Sequence, residues 1–319
     1  MNIFVTGASG FVGGTATRRL AANGHRVRAM SRSARSDSSV SEAGAEPVRC
    51  SLDDVESRHL DGAEVVLHCA AFVEDWGPRD AWYRGNVVGT QKMLDAARGA
   101  GARRFIHIGT EAAIVHGQDV IGADETYPLA PDSPYPYCAT KARAEALVRE
   151  ASTDGFETIV LRPRFIWGPG DTTLLPAIEA MARRWRWIDG GRARTSTTHI
   201  DNLVHAIELA LTAGQPGEAY FVLDDGEITM KEMITRMAET RGVELPDASV
   251  PSRLASALAW TGEALWRLLP LPGSPPLTRH AAMVMARDCV LVGDKARREL
   301  GYAPVITRDE GLRRMKTVP

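Results

Sequence analysis

The sequence predicts an α/β fold, a doubly wound parallel sheet with a smaller, mainly helical domain on its substrate side. Three observations predict it. Short apolar runs alternate with amphipathic helical patterns through the first half, a glycine-rich turn joins the first run to the first helix, and the alternation breaks near residue 168. Parallel strands need a crossover between them, and a helix packed back onto the sheet is the usual one. At 319 residues the chain has room for about two domains of roughly 100–200 residues each.

Taken in order, Ile3, Phe4 and Val5 read as the first strand, followed by the glycine turn and a helix through Ala22. Asn23-Gly24 stops that helix, and residues 26–30 make the second strand. Residues 46–50, 65–68, 105–108 and 158–161 supply four more, with helical patterns over 87–100 and 139–151. The serine-rich residues 31–41 read as a surface loop. Beyond Gly168-Pro169-Gly170, Trp185, Trp187, Gly190 and Gly191 interrupt the periodicity before residues 206–210 resume it. A dinucleotide-binding domain is therefore expected over 1–167, with 198–223 returning to it. Most of 168–197 and 224–319 is expected to form the substrate-binding domain. Leu254, Leu258, Leu265, Leu268 and Leu269 line one face of a segment that reads as a packed cap over the pocket. Peripheral contact with a membrane surface is the alternative role for that face.

Composition removes several function classes. Hydrophobic residues make up 44% of the chain, and 38 basic side chains nearly balance 40 acidic ones, so no electrostatic footprint for nucleic acid is present. Cys50, Cys69, Cys138 and Cys289 are far apart and form no C-x-x-C pair, which argues against a disulfide framework or structural zinc. His199, Asp201 and His205 lack a metal-binding spacing, and no metal is assigned. Residues 254–271 contain Glu263 and Arg267 and fall short of a membrane span. The chain enters its first strand without a secretory leader, and the expected location is cytoplasmic.

The turn Thr6-Gly7-Ala8-Ser9-Gly10-Phe11-Val12-Gly13 sits where a phosphate-binding loop must be, between a strand and a helix. Gly7 can turn tightly, Gly10 can admit a pyrophosphate, and Gly13 can let the helix approach the strand, as in a Rossmann fold. Phe11 and Val12 would offer helix N-terminal amides. Some 20 residues on, sites for NAD usually place an acid at the end of the second strand. This chain has Ser31 there, followed by Arg32 and Arg35. A hydroxyl and a guanidinium suit a 2′-phosphate, so NADP(H) is the preferred cofactor and NAD(H) the alternative.

Tyr137 and Lys141 lie four apart at the start of a helical pattern, on one face of it. A phenol with an ordinary pKa of about 10 can exchange protons near neutrality only if a neighbouring charge favours the phenolate. Lys141 can provide that charge. Thr110 follows the strand at 105–108, at the carboxyl edge of the sheet, where its hydroxyl can orient a carbonyl or alcohol.

These residues together resemble the extended short-chain dehydrogenase/reductases, the NAD-dependent epimerase/dehydratase family, over almost the whole chain. The resemblance rests on the glycine turn, Val66-Leu67-His68-Cys69-Ala70-Ala71, Asn86-Val87-Val88-Gly89-Thr90, Tyr137 to Lys141, and Leu161-Arg162-Pro163, in the family's order. Asp75-Trp76-Gly77-Pro78, Thr198-His199-Ile200-Asp201-Asn202-Leu203 and the stretch Lys295 to Tyr302 resemble the 3β-hydroxysteroid dehydrogenase branch, which handles apolar alcohols and ketones. The resemblance implies Tyr137 as general acid/base, Lys141 as ribose ligand and pKa modulator, and Thr110 in the family's Ser/Thr position. It also implies Ala70 and Ala71 lining the cofactor, Ser51 and Leu52 near adenine, and Pro163 to Ile166 beside the nicotinamide. A homodimer is common among such relatives.

On the substrate side, Phe72, Trp76, Phe165 and Trp167 are expected to line an apolar pocket, with Glu111 beside Thr110 as a further contact. Trp82, Tyr83, Trp185 and Trp187 belong to the same group of aromatic candidates. The expected function is hydride transfer between NADP(H) and a secondary alcohol or ketone of a small hydrophobic, steroid-like or long-chain keto substrate. The alternatives are a nucleotide-sugar epimerase or dehydratase and a non-catalytic dinucleotide-binding redox sensor. Nucleotide-sugar enzymes commonly have asparagine at the position of Phe165, which cannot make that hydrogen bond.

Overall fold

Seven parallel strands form the central sheet of the computed structural model, which describes residues 1–269 and 271–317. From one edge the order is Glu218–Val222, Glu157–Pro163, Arg104–Ile108, Val65–His68, Asn2–Thr6, Arg26–Ser31 and Glu46–Arg49. The inner strands are parallel-sheet sequences, buried on both faces and largely apolar, whereas the edge strand Glu46–Arg49 has no buried residue. Val65, Val66, Leu67 and His68 are all buried. One face packs on the helices Phe11–Ala22 and Ile200–Ala210 through Leu20, Leu203 and Ile207. The other packs on Gly89–Gly99 and Pro136–Glu150 through Met93, Leu94 and Val148.

The strand order reverses between Asn2–Thr6 and its neighbour Val65–His68, whose carboxyl ends open the crevice in which such sheets bind ligands. Residues 218–222 pair along Glu157–Pro163 and close one edge of the sheet. Ala296, Leu300 and Tyr302 come from the C-terminal stretch but enter the sheet's own core. A second core, built from Trp167, Ile178, Trp187, Met230, Met233 and Leu312, lies outside the sheet.

Three local expectations change. Residues 34–42, read as loop, are a helix whose N-terminus is held by a reciprocal Ser33–Ser36 capping box. The helix expected from residue 87 is preceded by a helical turn Arg79–Trp82 and a π-helical stretch Tyr83–Val88. The helix Ser252–Leu268 buries Ala255 and Ala259 rather than its leucines, and Leu254, Leu258, Leu265 and Leu268 are exposed. No helix among the described residues is long and apolar enough to cross a membrane.

Candidate active site

The glycine turn closes on the crevice through contacts that admit no side chain. Gly7 has φ +71°, and a Cβ there would lie 2.9 Å from the Ala70 nitrogen; one on Gly13 would lie 2.3 Å from the Gly7 carbonyl oxygen. Thr6 fixes the opposite wall, its hydroxyl accepting the Ala70 amide at 3.0 Å while contacting His68 Nδ1 at 2.8 Å. Ala70 and Ala71 follow directly at the end of their strand. No side chain caps the helix that begins at Phe11, so the amides of Phe11, Val12 and Gly13 remain for an anion. These residues fit a dinucleotide pyrophosphate.

At the ribose end, Ser31 is buried and its hydroxyl is 2.5 Å from Asp37 Oδ1 and 2.7 Å from Ser36 Oγ. The helix at 34–42 carries Asp37 back to the end of the second strand, so an acid stands close to the place that the linear order gives to Ser31. Asp37 is also paired with Arg49, while Arg32 is exposed. Ser51 directs both its amide and its hydroxyl to Asp54, each at 2.6 Å, and Leu52 lies against Gly89.

Tyr137 and Lys141 share the first turns of Pro136–Glu150, a helix with proline at its start. Tyr137 is half-buried and lines a cavity of about 1090 Å³ with Trp76, Trp82, Trp260 and His280. Burial pushes its phenol well above the ordinary tyrosine range, and the Glu111 carboxylate pushes the same way. A hydrogen bond with Thr110 pulls in the opposite direction. Thr110 also caps the following turn, accepting the Ala112 amide at 3.2 Å and donating to Glu111 Oε2 at 2.7 Å.

Lys141 is buried behind this wall. Its ammonium donates to the Ile108 carbonyl at 2.8 Å and lies 3.3 Å from His107 Nε2. Burial pushes its pKa down to about 8, with Glu145 acting against the fall. Its ammonium is therefore held by the backbone and His107. His107 is fully enclosed and kept neutral by burial and by Lys141, and its Nδ1 has no partner among the described residues.

Several aromatic and acidic candidates stand elsewhere. Trp167 is fully buried, donates its indole N–H to Asp224 at 2.8 Å and meets His199 edge-on, so it supports the second core rather than lining the cavity. Phe165, with φ +45°, packs against that same core, next to Ile166 and the strand end at Pro163. Glu111 is held by Arg164 and Thr110 and is committed to that pair. Phe72 is one layer back, edge-on to Trp82 at 5.3 Å, with its amide and carbonyl both bonded to the Asn86 side chain. Of the aromatic substrate candidates, Trp76 and Trp82 line the cavity itself.

His280 is the clearest residue that sequence reasoning missed. Its ring lies 5.6 Å from that of Tyr137, and its Nδ1 is 2.9 Å from Asp75 Oδ1. Burial opposes its charge, but Asp75 and the Cys138 sulfur outweigh it and push the imidazole up to about 10. Nothing local in the sequence pairs it with Tyr137, since 143 positions separate them (280 minus 137).

A family model for the NAD dependent epimerase/dehydratase family matches residues 3–222. The chain belongs to that family. It is an enzyme of the extended short-chain dehydrogenase/reductase type. A 4-hydroxy-2-methyl-3-oxo-4-farnesyl-3,4-dihydroquinoline-1-oxide ketoreductase of Stigmatella aurantiaca is 40% identical over 317 residues, spanning 98% of this chain and 95% of that one. A 2-alkyl-3-oxoalkanoate reductase of Stenotrophomonas maltophilia is 35% identical over 99% of this chain and 98% of its own. Among solved structures, the UDP-glucuronic acid 4-epimerase of Bacillus cereus in complex with NAD aligns with a TM-score of 0.74 at 20% identity, over 99% of both chains. That likeness concerns the fold. The expected Rossmann architecture and the expected oxidoreductase membership of this family member both stand.

Proposed function

We propose that this family member moves a hydride between NADP(H) and a secondary alcohol or ketone on a hydrophobic substrate, with Tyr137 exchanging the proton. What supports the reading is Tyr137 on the wall of a large cavity, with Thr110 easing its proton loss against burial and Lys141 one turn further along the same helix. The curated relatives named above are reductases of a farnesylated quinoline ketone and of alkyl oxoalkanoates, which favours a ketone bearing long apolar groups.

The residues divide the work as follows. Gly7, Gly10, Phe11, Val12 and Gly13 would hold the pyrophosphate, and Lys141 the nicotinamide ribose. A bound nicotinamide supplies or accepts the hydride. Tyr137, held protonated by its buried surroundings, donates its phenolic proton to the substrate oxygen as negative charge develops there. Thr110, once its hydroxyl rotates away from Glu111, would supply a second hydrogen bond at that oxygen. Arg32 would meet the 2′-phosphate, with Arg49 neutralising the carboxylate of Asp37 nearby.

Tyr137→Phe tests the reading. The variant should fold and retain NADPH, while ketone-dependent NADPH oxidation, followed at 340 nm, drops roughly 10²–10⁴-fold. Turnover within a few-fold of wild type would remove Tyr137 from the mechanism.

A further inference from the structure

We infer that Arg79 and Arg267 form an anion-binding clamp in the Tyr137 cavity, so that the preferred ligand is an amphiphile with an apolar body and an anionic group. The inference adds a substrate class to the reading of this cavity as the substrate's site and rests on that reading.

The walls of the cavity carry four arginines, Arg79, Arg143, Arg267 and Arg279, and three carboxylates, Glu74, Asp75 and Glu263. Two of the acids are already committed. Asp75 bonds His280 at 2.9 Å, and Glu263 accepts both the Arg279 backbone amide at 2.7 Å and its side-chain Nε at 2.9 Å. Arg143 turns towards Pro131 and Asp132. Glu74 is exposed at the rim and forms no ion pair with either remaining guanidinium among the described residues.

Arg267 is nevertheless held in place. Its guanidinium lies over the Trp76 ring, 4.1 Å from the centroid, and Nη1 donates to the Gly77 carbonyl at 3.0 Å. Partial burial lowers its affinity for a proton, and the like charge of Arg79 lowers it further, with Arg279 adding to the effect and Glu263 opposing it. Arg79 and Arg267 thus line the same cavity as like charges, and neither forms an ion pair among the described residues. An anion placed there relieves the repulsion and gains charge-assisted hydrogen bonds. Trp260 and Leu268 line the same space and are exposed, 62% and 81%, which provides an apolar track for the rest of the ligand.

Decanoate and its methyl ester differ in charge and hardly in apolar length, so they probe the clamp without requiring turnover. Titrated into the NADP-saturated full-length protein and followed by tryptophan fluorescence, decanoate should bind about tenfold or more tightly than methyl decanoate, the worth of one charged hydrogen bond. Arg79→Gln, at an exposed position, should bring the two affinities to within about threefold while leaving the ester unchanged; Arg267→Gln should do likewise. Equal binding by wild type, or preference retained in the double variant, overturns the clamp. A further outcome also overturns it: Arg79→Gln weakening sedimentation with phosphatidylglycerol vesicles while the decanoate preference persists, which would assign the arginines to a membrane surface. Tyr137→Phe should keep the decanoate preference, so the loss of the redox reading and the loss of the clamp give different patterns.

Discussion

Arg32 separates two ways of holding the adenosine ribose. The linear order Ser31-Arg32 favours a 2′-phosphate, yet folding brings Asp37 within hydrogen-bonding distance of Ser31. A free carboxylate there would repel the phosphate, but Asp37 is paired with Arg49, which leaves the exposed Arg32 as the cation available to the ligand. Arg32→Ala should therefore weaken NADP(H) by about 10–100-fold, the worth of a charged hydrogen bond, and NAD(H) by less than about threefold. Isothermal titration with both cofactors decides it; parallel losses would place Arg32 outside the phosphate site. Lys141 shows the same lesson in another form. Spacing correctly brought it onto the face of Tyr137, but a spacing rule cannot reveal that Ile108 and His107 already occupy its ammonium.

Among the elements, the central strands were readable because a strand buried on both faces needs a continuous apolar run, and each of these has one. The helix at 34–42 was not, because Ser36, Ser38, Ser39 and Ser41 are weak helix formers and only the Ser33–Ser36 cap organises them. The π-helical stretch Tyr83–Val88 was equally hidden, since its period matches neither strand nor α-helix. It has a structural use: Asn86 is buried there, accepts the Phe72 amide at 2.7 Å and donates to the Phe72 carbonyl and to Thr140, each at 3.1 Å. One side chain thereby fastens the loop that leads to Asp75 and Trp76 to the helix bearing Tyr137. Asn86→Ala should cost about 2–3 kcal/mol in stability by leaving the Phe72 backbone groups unpaired. Its kcat/KM should fall by about tenfold or more, because the cavity wall loses its register with Tyr137. Thermal melts joined to steady-state kinetics would show both effects, and a variant with unchanged kinetics would reduce Asn86 to a purely structural fastening.

Across the whole molecule, the crevice at the glycine turn was far more legible than the Tyr137 cavity. That crevice is built by turns whose residues are neighbours in sequence, whereas the cavity is closed by residues from about 75 to 82 and from about 260 to 280, which share no local pattern. The His280–Asp75 pair joins these distant parts, and its titration supplies a measurable signature of that closure. In the unfolded chain His280 should titrate near 6.5; in the fold it is pushed up to about 10. The folded state then holds a proton that the unfolded state releases between these values, so the pair's contribution is complete below about pH 6.5 and declines as pH rises towards 10. The imidazole remains partly accessible, which limits that contribution to roughly 1–3 kcal/mol after solvent screening. His280→Gln should lower the melting temperature by a few degrees at pH 6, and the difference from wild type should shrink steadily by pH 10. Asp75→Asn should reproduce that narrowing, since it removes the carboxylate rather than the ring. A gap that stays constant with pH would mean that His280 acts by packing on Tyr135 and Tyr137, and that its charge does not hold the two halves of the cavity together.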